Sequence, residues 1–115
     1  MTAPAVQLFH MLGVGPLFLY IGLARENVPE HVFNLLGLIG FAILGYHTYL
    51  AYNKLKENKS AWVNWIHIFL VAPLLILLAY LKKDASRRYF EMLLILGFAA
   101  LGYHGLYLMR EMAIN

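Results

Sequence analysis

In 115 residues the chain carries 62% hydrophobic and only 13% charged residues, with a net charge of +3, a balance outside that of soluble globular domains and typical of membrane proteins. Cysteine is absent, which excludes disulfides, thiolate metal ligands and cysteine nucleophiles. A charge this small, with Lys and Arg at the ends of apolar stretches, suits lipid headgroups better than nucleic acid.

Four apolar stretches follow one another: Ala5 to Ala24, Val32 to Tyr52, Ala61 to Leu81 and Tyr89 to Met109. Each has about 20 residues, and a helix of that length rises far enough to cross a hydrocarbon layer of ~30 Å. The first stretch lacks a basic leader and a small-residue cleavage site, so it is expected to be a structural span. Its Pro16, like Pro73 in the third stretch, removes a backbone donor and predicts a local bend about two turns deeper than the preceding histidine. Pro29, in the polar connection Arg25 to His31, suits the start of the second helix. The second stretch ends in Tyr46, Tyr49 and Tyr52, and the third opens on Trp62 and Trp65, residues that favour a membrane–water interface. Lys54, Lys56, Glu57 and Lys59 mark the central loop.

The chain repeats itself. Gly40-Phe41-Ala42-Ile43-Leu44-Gly45-Tyr46-His47 recurs, with one change, as Gly97 to His104, and the same shift of 57 (67 − 10) aligns His10 with His67 and Pro16 with Pro73. Over residues 6–47, 14 of 42 positions are identical to their counterparts in 63–104, without a gap. The expected fold class is therefore all-α: an integral membrane four-helix bundle built from two tandem-duplicated transmembrane helical hairpins. It reads as one domain, 1–115, with repeat 1 at 5–53, a loop at 54–60 and repeat 2 at 61–110. An even number of spans per copy puts both termini on one side and predicts a pseudo-twofold axis along the membrane normal. Lys54, Lys56, Lys59 and Arg110 lie on that side, against Arg25, Lys82, Lys83, Arg87 and Arg88 on the other. The positive-inside rule does not choose between them.

His31 lies in a polar connection and reads as a solvated residue. His10, His47, His67 and His104 fall within the spans, and alternating helix direction brings them to one level, roughly 8 Å below one membrane face. Gly40 precedes His47, and Gly97 precedes His104, by nearly two helical turns, so each glycine shares a face with a histidine and leaves room for a neighbouring helix or a flat ligand. Tyr46 and Tyr103 belong to the same repeated motif and complete the candidate cofactor-binding set.

Structural histidines, hydrogen-bonded to carbonyls or tyrosine hydroxyls between close-packed helices, are the plain reading. Three functional readings stand beside it. Intramembrane ionisable residues commonly mark functional sites, and b-type haem ranks first because it brings its own negative charge and needs two histidines. A transition metal held by the four imidazoles is next considered, but it leaves two uncompensated charges in a medium of low dielectric. A proton or small-cation relay through the imidazoles is the alternative, although the spans offer few other polar groups than Tyr, Asn34 and Glu91. Having no cofactor at all fits the structural reading. No phosphate loop, nucleophile elbow or carboxylate pair is present, so no hydrolase or transferase is expected. The expected partners are the lipid bilayer and a second copy of the chain, with no nucleic acid.

Trp62-Val63-Asn64-Trp65-Ile66-His67, Ala72-Pro73-Leu74-Leu75 and Gly102-Tyr103-His104 resemble small four-span membrane proteins encoded by large DNA viruses of algae and protists. The resemblance covers most of the chain. It implies a virion or host-cell membrane as the location, and a structural role in a virion as a further reading, with no activity or cofactor attached.

Overall fold

The computed structural model describes residues 3–114, so the outermost residues of the expected domain lie outside the description. The described residues form helices and their connections in the order α1 (Ala3–Phe9), a π turn (His10–Val14), α2 (Gly15–Ala24), a 3-10 turn (Arg25–Asn27) and α3 (Glu30–Lys56). There follow α4 (Trp62–Ile66), a π turn (His67–Val71), α5 (Ala72–Leu81), a 3-10 turn (Lys82–Asp84) and α6 (Arg87–Ile114). Among the described residues four continuous stretches are long and apolar enough to cross a membrane: Pro4–Asn27, Glu30–Lys56, Trp62–Asp84 and Arg87–Ala113.

From the first π turn to the start of α3, every boundary recurs 57 residues later, as His10 and His67 show. The positive φ of Arg25, 50°, is likewise matched by 54° at Lys82. The second and fourth helices extend a turn beyond their apolar stretches, and α3 includes Lys54 and Lys56, which the sequence reading placed in the loop. Cations in a last helical turn face the negative end of the helix dipole, which favours that extension. The connection itself starts at Glu57 and turns at Asn58, whose φ is 57°, while Lys59 N–H closes on Lys54 O at 2.8 Å.

Each proline follows a widened turn rather than regular α-helix. Gly15 N–H donates to His10 O and Ala72 N–H to His67 O, five-residue steps that define a π turn ahead of each proline. Proline cannot donate to the carbonyl four residues back, and widening the preceding turn shifts the register to absorb that missing bond. The irregularity thus begins at the histidine itself.

Packing groups the chain into two compact units, residues up to 25 with those from 86 onward, and residues 26–85. Within these units the packed partners are the first span with the fourth, and the second with the third. In the unit formed by 26–85, Gly37 faces the Ala79 side chain and Gly40 faces Ala72, Leu75 and Ile76, so α3 and α5 run antiparallel in close approach. Phe33, Leu36, Leu75 and Leu78 are buried there, and at one end Lys82 Nζ meets Glu30 Oε1 at 2.6 Å. In the other unit Gly15 faces Leu101, Gly22 faces Leu94 and Gly97 faces Phe18 and Leu19. Phe18, Ile21, Phe90 and Leu93 are buried.

Candidate functional site

The four span histidines form two stacked pairs, one in each unit. Between residues 26 and 85, the His47 and His67 rings lie 4.0 Å apart and 8° from parallel. In the other unit the His10 and His104 rings lie 3.9 Å apart at 18°. The antiparallel packing around the glycines produces both contacts, because each pairs the opening residue of a π turn with a residue on a long helix seven places beyond a packing glycine.

Hydrogen bonds fix how each ring is held. His10 Nδ1 lies 2.8 Å from Val6 O, and His67 Nδ1 lies 2.8 Å from Val63 O. A carbonyl only accepts, so both rings carry the proton on Nδ1 and the lone pair on Nε2. His47 and His104 are held by amides at equivalent positions. Asn64, 1% exposed, contacts His47 Nδ1 through Nδ2 at 2.9 Å and takes a hydrogen bond from Lys54 Nζ on Oδ1 at 2.6 Å. Gln7 contacts His104 Nδ1 through Oε1 and donates from Nε2 to Glu111 Oε1 at 3.4 Å. The second oxygen of Glu111 is buried with no hydrogen-bond partner among the described residues.

Gln7 and Asn64 precede His10 and His67 by three residues, and Lys54 and Glu111 follow His47 and His104 by seven. The sequence reading did not connect these four residues to the histidines as a relay, for which it found too few polar groups. Their signal was alignment: both positions stay polar in both copies, on the faces that carry the histidines. Asn34 and Glu91, considered for that role, are exposed, and Glu91 pairs with Arg87 at 3.1 Å.

The other candidate residues divide. Tyr103 meets His104 edge-on at 5.1 Å, and Tyr46 meets His47 edge-on at 5.6 Å with much of its own ring exposed. Gly40 and Gly97 serve close packing: a Cβ on Gly40 would sit 3.0 Å from Ile76 Cγ1, and one on Gly97 would sit 3.0 Å from Leu19 Cδ2. Among the described residues, no group of three or more metal-ligating side chains converges. Within a pair, rings stacked face to face leave no gap for a porphyrin, whose iron needs imidazole nitrogens directed at it from opposite sides.

The described residues are all-helical or connecting, with four helices long and apolar enough to cross a membrane and two stacked pairs of histidine rings. No protein-family model, curated protein or solved structure matches the chain.

Proposed function

We propose that the chain is an integral membrane protein whose histidine pairs bind and relay protons within the bilayer. Support for the membrane comes from the side chains the helices turn outward: Leu12, Leu38, Phe41, Phe69, Ile95 and Phe98 are all exposed. So large an exposed apolar surface favours a lipid or protein covering over water. The observation that carries the relay is that each stacked imidazole pair is tied through a side-chain amide to one charged group, Lys54 or Glu111. Imidazole titrates near neutral pH and has a donor and an acceptor nitrogen, so such clusters can take up and release protons where a hydrocarbon layer would otherwise exclude them.

Proteoliposomes with an imposed potassium diffusion potential and an internal pH dye test the reading. The wild-type chain should acidify or alkalinise the lumen according to the sign of the potential, and His47→Gln with His104→Gln should reduce the flux at least tenfold. Equal flux in both, or none in either, overturns it.

Cofactor binding is the second reading, favoured by the Nδ1–H to carbonyl bonds of His10 and His67. That arrangement also orients a metal-ligating imidazole through its Nε2. A Soret band or stoichiometric transition metal in the purified protein would put this reading first. Placement in a virion or host-cell membrane belongs to the same proposal and is tested by locating the tagged protein.

A further inference from the structure

The two clusters occupy equivalent places in the repeat but differ in the sign of their terminal charge, and that difference reverses every hydrogen bond between the charge and the imidazole. An ammonium only donates. Lys54 therefore takes the oxygen of Asn64 at 2.6 Å, which turns the Asn64 NH₂ toward His47 Nδ1 at 2.9 Å. His47 must accept there, so its neutral ring holds the proton on Nε2. An ionised carboxylate only accepts. Glu111 takes the Gln7 NH₂, which turns the Gln7 oxygen toward His104 Nδ1. His104 must donate there, so its lone pair lies on Nε2.

From this we infer that the duplicated site has split into two unlike halves, and that the His10–His104–Gln7–Glu111 cluster is the one that takes up a proton. Both of its imidazoles carry Nε2 lone pairs. A proton arriving from hydronium forms an Nε2–H bond and leaves water behind, and the new imidazolium keeps its Nδ1–H bond to a carbonyl or to Gln7. Glu111 supplies the compensating charge, and its buried second oxygen, which has no hydrogen-bond partner among the described residues, is a group that a nearby cation would satisfy. Tyr103, Tyr107 and Arg110 are the other ionisable groups that α6 brings to this end, and among the described residues the first span contributes His10 there. In the partner cluster His67 alone of the two rings offers an Nε2 lone pair, since His47 already has a proton on Nε2 and receives an N–H on Nδ1, and Lys54 opposes a second positive charge. Gln7 and Asn64 are positioning residues, and they set which nitrogen bears the proton without carrying it.

This inference rests on the relay reading for its purpose but not for its test. Nitrogen-15 spectra of histidine-labelled protein in lipid nanodiscs at neutral pH should show the Nδ1–H tautomer at His10, His67 and His104 and the Nε2–H tautomer at His47. Lys54→Glu should reverse the Asn64 amide and move the His47 proton to Nδ1, and Glu111→Lys should move the His104 proton to Nε2. If those charge reversals fail to fold, Asn64→Asp replaces the donor by a carboxylate acceptor and should alone bring the His47 proton to Nδ1. On acidification the first imidazolium signal should belong to His10 or His104. The same tautomer at His47 and His104, an unmoved His47 proton in Asn64→Asp, or a first imidazolium at His47 or His67 overturns the inference. Correct tautomers without proton flux overturn the relay reading alone.

Discussion

Asn64 shows how much one side chain can hold in place near the end of a packed helix pair. It is almost completely buried and satisfies Lys54 on one side and His47 on the other. Asn64→Ala leaves both partners without their bond, and interhelical hydrogen bonds of this kind are worth about 1–2 kcal/mol. Unfolding in mixed micelles should register that loss, and Asn64→Gln should recover part of it. The loop pair behaves differently. Glu57 and Lys59 lie 2.8 Å apart but are both exposed. The Lys59 ammonium holds the Glu57 carboxyl below its usual range, and Glu57 in turn holds Lys59 above its own. The carboxylate's contribution is present above the ordinary carboxylate value and lost as pH falls through its lowered one. The lysine's is present below the ordinary lysine value and lost as pH rises through its raised one. The pair therefore acts from about pH 4 to about pH 10, a window that includes neutrality. Solvent and salt screen it, so Glu57→Gln should leave stability unchanged in ~0.15 M salt.

At the scale of helices, the two units solve one packing problem with different residues. In one, Gly22 lies under Leu94, where an added Cβ would meet Leu94 Cγ at 2.6 Å and Phe90 O at 3.0 Å. The equivalent positions in the other unit hold Ala79 over Gly37. The space between the helices is filled in both, with the larger side chain supplied from opposite sides. Gly22→Ala should therefore cost about 1–3 kcal/mol by overpacking, and adding Leu94→Gly should recover much of that by recreating the Ala79–Gly37 arrangement. A double-mutant cycle measures the coupling. Gly45→Ala and Gly102→Ala are the controls, because nothing lies within 4 Å of either added Cβ. This exchange also marks the limit of the sequence reading. The four apolar stretches, the repeat and the inward role of the histidines were legible because each follows from length, spacing or identity along the chain. Which helices pack together was not, since that depends on small and large residues matching between segments distant in sequence, such as Gly15 with Leu101. The π turns escaped for a related reason: proline announces a missing donor but does not say whether the helix bends or widens to absorb it. The opposed charges at Lys54 and Glu111 were visible, yet only the intervening amides give them meaning.

For the molecule as a whole, the proposed membrane placement makes orientation the property most exposed to small changes of charge. In the proposed four-span topology Lys54, Lys56, Lys59 and Arg110 share the side of the central loop, against Arg25, Lys82, Lys83, Arg87 and Arg88 on the other. A difference of one is a weak signal under a rule that weighs Lys and Arg near the span ends. Lys54 is further tied to Asn64 and Lys82 to Glu30, so the charges on each side differ in how readily they meet headgroups. A few substitutions should then shift the balance of inserted molecules. Single cysteines at Glu57, Glu26 and Ser86, in a chain with no cysteine of its own, allow labelling by a membrane-impermeant maleimide in intact cells. The Glu57→Cys site should report one face, and Glu26→Cys and Ser86→Cys the other. Arg87→Gln with Arg88→Gln leaves four basic residues against three and should increase the fraction with the central loop in the cytoplasm. Lys56→Gln with Lys59→Gln, two against five, should lower that fraction. Labelling of all three positions from one face would contradict the four-span topology, and an unchanged ratio in both charge variants would show that these charges do not set orientation.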